Sequence, residues 1–316
     1  MKNYRCNIPV LMIGFNRPEN IARVLEKVRN VQPYKLYIAI DGARDHKEGE
    51  DLLVEATKKV VENIDWDCEV HRRYNDKNLG AEITISSALR WICETEEYFI
   101  MLEDDIVAPV SFFKFQEEML VKYKDCPNIK LVTGNNFTPL PTPNGEDYFF
   151  SEYGHTWGWG SWKRVWHDFD LNIEIPEEHC TLEFCRTLSN TEKQAKRLQK
   201  SFIRLRAQGV GNCTWDYISS YKSKIQRMLS IVPRVNLATN IGIMGLHANG
   251  ETKYHNLPYD EDFVVKKHPN EIVCWKEYDI YHFKNHFSKK RNIIIRILKF
   301  IKKKFSKIIH QIKKMM

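Results

Sequence analysis

The apolar run Ile8-Pro9-Val10-Leu11-Met12-Ile13-Gly14-Phe15 gives way to Ile21, Val24, Leu25 and Val28, which recur at intervals of three and four. A continuous apolar stretch followed by a 3.6-residue period predicts a buried strand and then an amphipathic helix. Pro18 suits the first turn of that helix. The same alternation recurs. Lys35–Ile40 reads as a second strand ending at Asp41-Gly42, with a helix from about Glu48 to Asn63. Cys68–Tyr74 is a third strand, and Ala81–Thr95 a helix with Ile85, Ala88, Leu89 and Ile92 on its apolar face. Tyr98–Leu102 is a fourth strand, Phe112–Tyr123 a helix and Ile129–Thr133 a fifth strand. Strands separated by helices imply right-handed βαβ units, so the expected fold is α/β, with a mostly parallel, Rossmann-like sheet flanked by helices.

The pattern changes from Asn135 onward. Pro139, Pro141, Pro143 and Gly145 mark a loop, an aromatic run extends from Tyr148 to Trp166, and a charged helical stretch covers about Thr181 to Gln208. Residues 211–262 are mixed, with turns at Gly211-Asn212, Gly242, Gly245 and Asn249-Gly250. The expected organisation is 1–137, 138–280 as an α+β half, and a basic tail, 281–316.

That tail changes the picture of the charge. Twelve positive residues and no acidic one follow Asp279, so the overall +7 leaves −5 for residues 1–279. Ile294, Ile297, Leu298, Ile301, Phe305, Ile308, Ile309 and Ile312 form a stripe with lysines between them. This is the pattern of a basic amphipathic helix, suited to lying on an anionic membrane surface through residues 289–316. A disordered cationic end or a nucleic-acid arm accounts less well for so regular a stripe, and no nucleic-acid partner is expected.

No apolar stretch approaches the roughly 20 residues that span a bilayer. The segment Met1–Arg5 is too short and too weakly flanked for a signal peptide. The eight cysteines are scattered without C-x-x-C or zinc-ligand spacing, which fits reduced thiols. These features place the protein in the cytoplasm, attached peripherally to the inner face of the membrane.

The candidate chemistry lies at the ends of the predicted strands. Glu103-Asp104-Asp105 closes the fourth strand, and three adjacent carboxylates repel one another unless a cation intervenes. Hard oxygen ligands suit Mn²⁺ or Mg²⁺, and open α/β sheets bind ligands beyond their strands' carboxyl ends. A solvated loop with Asp105 as a helix cap is the other reading of the triplet. Arg17 follows the first strand and suits a phosphate or base edge. Asp41 follows the second and is either a base or ribose acceptor or simply part of a turn. Asn75 to Asn78 follow the third. Neither G-x-G-x-x-G after the first strand nor G-x-x-x-x-G-K-[ST] occurs, so a metal has more of the pyrophosphate charge to neutralise.

Ile8 to Pro18, Ile40-Asp41-Gly42, and Leu102-Glu103-Asp104-Asp105-Ile106-Val107-Ala108-Pro109 followed by Phe112-Phe113 resemble GT-A-fold glycosyltransferases. The likeness is to the inverting N-acetylglucosaminyltransferase I type and its bacterial relatives. It continues through Gly158-Trp159, Thr214-Trp215-Asp216 and Val232-Pro233-Arg234-Val235. The resemblance implies a nucleotide-sugar site of Phe15, Arg17, Asp41, Asn78, Glu103 and Asp104, with Asp41 near the base. It implies Asp105 as the Mn²⁺ ligand bridging the diphosphate and Asp216 as the catalytic base. The family's diphosphate-side histidine has no counterpart near Asn75-Asp76-Lys77-Asn78, where Lys77 or Asn78 would have to substitute.

Inverting transfer needs a carboxylate at the acceptor hydroxyl and a cation for the leaving group. Asp216 has Trp215 and Tyr217 beside it, which would partly desolvate it; it is otherwise a helix cap or turn carboxylate, with Asp168, Asp170 and Glu251 as rivals. Trp157 and Trp159 either stack on an acceptor sugar or pack in the core. His155 and His247 are candidates to complete a metal shell. The expected function is metal-dependent transfer of a sugar from a nucleotide-diphosphate donor, UDP-linked, to a glycan or lipid-linked hydroxyl in surface polysaccharide assembly. The alternatives are a sugar-phosphate nucleotidyltransferase and a non-catalytic, membrane-docked carbohydrate-binding protein.

Overall fold

A computed structural model describes residues 4–209, 214–242 and 251–287. The chain forms two compact units, Met1–Asp279 and Ile280–Met316. Of the second, only residues 280–287 are described. The expected membrane-binding stretch 289–316, His247 and Cys213 all lie outside the described residues. No described helix is long and apolar enough to cross a membrane, and the seven described cysteines are unpaired.

The first four strands are parallel neighbours in the order β3 (Glu69–Tyr74), β2 (Lys35–Ile40), β1 (Val10–Gly14), β4 (Tyr98–Glu103). Their register sets Ile13 against Glu103 and Gly14 against Ile40. The chain therefore leaves β1, β2 and β4 at one level of one rim, which brings residues 15–17, 41–44 and 103–105 together. β1 is buried along its whole length, and Phe99 to Leu102 of β4 are buried as well, as parallel strands covered on both faces require.

The sheet continues with β8 (Trp159–Trp162), β6 (Ile129–Thr133), β9 (Leu229–Pro233) and β7 (Tyr148–Ser151), eight strands in all. Four of its seven pairings are parallel. β8, drawn from the aromatic run of the second half, lies antiparallel between β4 and β6 of the first. The two sequence halves thus share one sheet.

α1 (Pro18–Arg29), α2 (Glu50–Val60) and α4 (Val110–Lys122) cover one face, burying Ile21, Val24, Val54, Phe112 and Phe115. α3 (Ala81–Thr95), the short α5 (Lys163–Trp166), α7 (Glu192–Gln208) and α8 (Trp215–Ile225) cover the other through Leu89, Ile92, Trp166, Phe202, Trp215 and Tyr221. Full burial of each such aliphatic or Phe side chain contributes about 1.5–3 kcal/mol. The charged stretch expected as one helix over 181–208 is broken into α6 (Leu182–Thr187) and α7. Leu188, Ser189, Asn190 and Thr191 intervene, and Thr191 Oγ1 accepts from Gln194 N at 3.2 Å, capping a new helix start.

Trp159 corrects the expectation of an acceptor-stacking indole. It is wholly buried, with Phe99, Trp166 and Trp215 rings at 5.8, 5.2 and 6.1 Å. A strand residue between two covering layers has no open face for a sugar.

Candidate active site

A cavity of about 960 Å³ opens at the rim where β1, β2 and β4 end. It brings together Phe15, Arg17, Asp41, Asn78, the three carboxylates and Trp157. Trp159 and Asp216 are not among its lining residues.

The acidic triplet is clamped from the far end of the chain. After Asp105, β5 (Ile106–Val107) pairs antiparallel with β10 (Thr239–Asn240). Ile241 N donates to Asp105 O at 2.9 Å, and Asn240 Nδ2 points to Asp105 Oδ1 at 3.4 Å. Gly242 sits so close that a Cβ there would lie 2.1 Å from Asp105 Oδ2. On the other side, Arg17 Nη1 donates to Asp104 Oδ1 at 3.2 Å and to Asp105 Oδ2 at 2.9 Å. Phe15 N donates to Asp104 Oδ2 at 3.3 Å. Among the described residues, none donates a hydrogen bond to the Glu103 carboxyl. Burial, reinforced by the charges of Asp105 and Asp104, pushes Glu103 up to about 8. Burial and Asp105 push Asp104 up to about 7, Arg17 offsetting part of the effect. Asp105 is raised for the same reason, burial, and is likewise relieved by Arg17.

Asp41 stands at the cavity wall with its carboxylate already filled. Oδ1 accepts from Gly42 N, Asn75 Nδ2 and Leu79 N, and Oδ2 from Asn78 Nδ2 and Gly80 N, each at 3.0 Å. Five donors use up the roughly four lone-pair sites of a carboxylate. The expected contact with a base or ribose is corrected accordingly: Asp41 holds the 75–80 loop against the end of β2. Gly42 lets that loop approach, since a Cβ would lie 2.5 Å from the Lys77 carbonyl carbon. Both donors of Asn78 are spent on Asp41 and on Gly42 O; its amide oxygen is what it can offer a ligand.

The sequence reading missed a buttress beside Phe15. Arg44 grips Glu50 with both arms of its guanidinium, through Nε at 2.8 Å and through Nη2. Asn16 Nδ2 donates to the same carboxylate at 2.9 Å. Hydrogen bonding from Arg44 holds Glu50 down at about 2. The guanidinium carbon stands 5.6 Å from the Phe15 ring centroid, within cation–π range. No motif marks this pair, because an Arg and a Glu six residues apart across a turn are ordinary in any sequence.

Of the segment 251–255 the sequence pointed only to Glu251, as a rival base; Thr252, Tyr254 and His255 line the cavity beside it. The segment is registered by a bridge between His255 and Asn240, and Asn256 N donates to Asn240 O at 3.0 Å. His255 Nδ1 accepts from Thr252 N at 2.9 Å, which fixes the ring proton of the neutral imidazole on Nε2. Trp157 packs against this ring at 5.5 Å. His155, the other expected metal-shell histidine, packs on Phe137 at 4.3 Å and is not among the lining residues.

Asp216 occupies the first turn of α8 and is exposed. Its two aromatic neighbours do not desolvate it: Trp215 points into the core and Tyr217 is 46% exposed. It is near enough for its charge to contribute to raising Glu103. Of its rivals, Asp168 and Asp170 are exposed and away from the cavity, whereas Glu251 lines it and accepts from Asn256 Nδ2 at 3.0 Å.

Among the described residues no group of three or more His, Cys, Asp or Glu side chains is arranged to hold a metal ion by itself. The donor chemistry of the triplet, carboxylate oxygens alone, is nevertheless of the type that hard divalent cations take, with the rest of the shell left to a ligand. Two of those oxygens, Asp104 Oδ1 and Asp105 Oδ2, are set against one guanidinium, and a phosphate and water would supply the remaining ligands of such a cation.

No family model and no curated protein matches this chain. Solved structures that it resembles include HddC from Yersinia pseudotuberculosis, at 11% identity and a TM-score of 0.32 over 51% of this chain and 80% of that one. Another is the 4-diphosphocytidyl-2C-methyl-D-erythritol synthase of Anaerococcus prevotii, at 13% and 0.28 over 64% and 95%. A third is mouse xyloside xylosyltransferase 1, at 11% and 0.33 over 70% and 84%. Likenesses this distant carry no argument about chemistry, which rests on the cavity itself.

Proposed function

We propose that this chain is an inverting, metal-dependent glycosyltransferase that moves a sugar from a nucleoside-diphosphate donor, UDP-linked, to a glycan or lipid-linked hydroxyl. The observation that carries the reading is the triplet lining the cavity: three consecutive carboxylates, buried or half-buried, mutually repelling, with one arginine paired to two of them. Such an arrangement is costly unless a cation and its anionic ligand complete it.

Asp105, with Asp104 beside it, would hold Mn²⁺ or Mg²⁺, which when bound supplies positive charge to the departing diphosphate. Arg17 would meet a phosphate oxygen through its fork. Phe15, backed by Arg44, walls the nucleotide end, and the Asn78 amide oxygen accepts there. Glu103, whose carboxyl is raised by burial and by its acidic neighbours, would hydrogen-bond a sugar hydroxyl. Trp157 offers an aromatic edge to the acceptor. Asp216 would take the acceptor's proton as its oxygen attacks the anomeric carbon and the diphosphate leaves from the opposite face. An acceptor at the membrane's cytoplasmic surface matches the basic stripe of the tail.

The test is incubation with a panel of UDP-sugars, Mn²⁺ and candidate acceptors, comparing the wild type with Asp105→Ala and Asp216→Asn. The proposal expects each variant to lose at least about 100-fold in turnover, the usual scale for an essential electrostatic or acid–base group. Undiminished transfer by both variants overturns the assigned roles. Pyrophosphate release from a nucleoside triphosphate and a sugar phosphate would instead identify a nucleotidyltransferase.

A further inference from the structure

The Arg17 guanidinium occupies the place that a cation bound by the triplet must share. Its Nη1 lies within hydrogen-bond distance of both Asp104 Oδ1 and Asp105 Oδ2. Gly242 packs directly on Asp105 Oδ2, where a Cβ would lie 2.1 Å from it, so the carboxylate has little room on that side. Arg17 itself sits immediately before Pro18 at the start of α1, and Ile21 N donates to its main-chain carbonyl at 3.1 Å. Its backbone is therefore held at the helix start, while its side chain, 27% exposed, reaches the cavity wall beside the two carboxylates.

Resting on the glycosyltransferase reading, we infer that Arg17 is a counter-ion latch that makes divalent-cation binding depend on the diphosphate. With the cavity empty, the guanidinium neutralises Asp104 and Asp105 and competes with any cation for the same oxygens. A metal arriving alone must displace Arg17 and leave it without an anionic partner next to a second positive charge. A metal arriving with a diphosphate gives Arg17 a new partner, since a guanidinium fork pairs with phosphate as well as with carboxylate. The two ligands are then coupled, and by linkage each raises the affinity of the other by the same factor. Donor-independent metal loading is suppressed, and the diphosphate is held by both the cation and the arginine once both are in place.

The experiment is Mn²⁺ titration of the full chain, with free Mn²⁺ followed by electron paramagnetic resonance, in the absence and presence of UDP. Wild type, Arg17→Gln and Arg17→Lys are compared, with melting curves recorded for each. The latch requires Arg17→Gln to bind Mn²⁺ alone about tenfold or more tightly than wild type and to lose most of the enhancement produced by UDP. Arg17→Lys keeps the positive charge, so its affinity for Mn²⁺ alone stays near that of wild type. A Gln variant that binds Mn²⁺ alone no better than wild type, while UDP still promotes binding in wild type, overturns the latch and leaves the glycosyltransferase reading standing. Absence of Mn²⁺ binding from wild type and variants, with or without UDP, overturns both.

Discussion

Ile241 donates its main-chain N–H to the carbonyl oxygen of Asp105 at 2.9 Å, so the residue proposed to hold the metal is fixed by a strand from the far end of the sequence. Gly242 follows at once, and its missing side chain is what allows the Asp105 carboxylate its position. Replacing Gly242 by Ala would drive a Cβ into Oδ2 and displace the ligand. Misplacement on the order of 1 Å at a reacting centre costs roughly 100-fold in rate. Gly242→Ala is expected to lose at least that much transfer activity while its melting temperature moves by only a few degrees. Parallel assays and melting curves check it.

Asp41 makes the opposite prediction. Because its carboxylate is saturated by five donors of the protein's own, its removal strands two amides and three main-chain N–H groups. Leaving buried donors unpaired costs about 1–3 kcal/mol each where water cannot reach them. Asp41→Ala is expected to lower unfolding free energy by roughly 3 kcal/mol, measured by urea titration. Bound UDP should restore little of that loss. A variant with unchanged stability but abolished nucleotide affinity would return Asp41 to the role of direct contact.

What the sequence disclosed, and what it hid, follows from the range of the forces involved. Periodicity reports local burial, so the first-half strands and helices, and the position of Glu103-Asp104-Asp105 at a strand end, were legible. β8 was not, because Trp159-Gly160-Ser161-Trp162 is too short to show a period. Gly160 is there because a Cβ would strike Gln116 and Leu120, and that reason exists only once α4 is packed. The same holds for Asn240, 135 residues from its partner Asp105, and for His255. Contacts that distant leave no trace in a single sequence, whereas the adjacent triplet carried its repulsion in plain view.

Asp279 offers a test by pH away from the cavity. It is fully buried, accepting from Ser151 Oγ, from Glu152 N at 3.2 Å and from Cys274 Sγ at 3.1 Å. Burial outweighs these donors and raises its carboxyl from 3.8 to about 6. A group raised on folding favours the folded state below its unfolded pKa, and that contribution is lost as pH rises through the folded value. The ionised side chain thus costs stability above about pH 6, roughly 3 kcal/mol at one unit per 1.36 kcal/mol. Asp279→Asn removes the titration. Measured by urea unfolding, the variant should gain on wild type by about 2 kcal/mol between pH of about 4.5 and about 7.5. A difference that stays constant with pH would show that Asp279 is ionised at little cost.

Trp157 and Trp159 lie two residues apart and should fail in different ways. Trp159 is surrounded by Phe99, Trp166 and Trp215. Its truncation to Ala leaves a void in the core and should cost about 3–5 kcal/mol. Any loss of activity in that variant should track the fraction unfolded and recover on cooling. Trp157 lines the cavity against His255, and its truncation removes little core. If it contacts the acceptor, Trp157→Ala should raise the acceptor KM by about tenfold, the effect of roughly 1.4 kcal/mol of lost binding. The slow hydrolysis of donor sugar by water, which needs no acceptor, should stay near the wild-type rate. Equal losses of transfer and hydrolysis would place Trp157 on the donor side of the cavity instead.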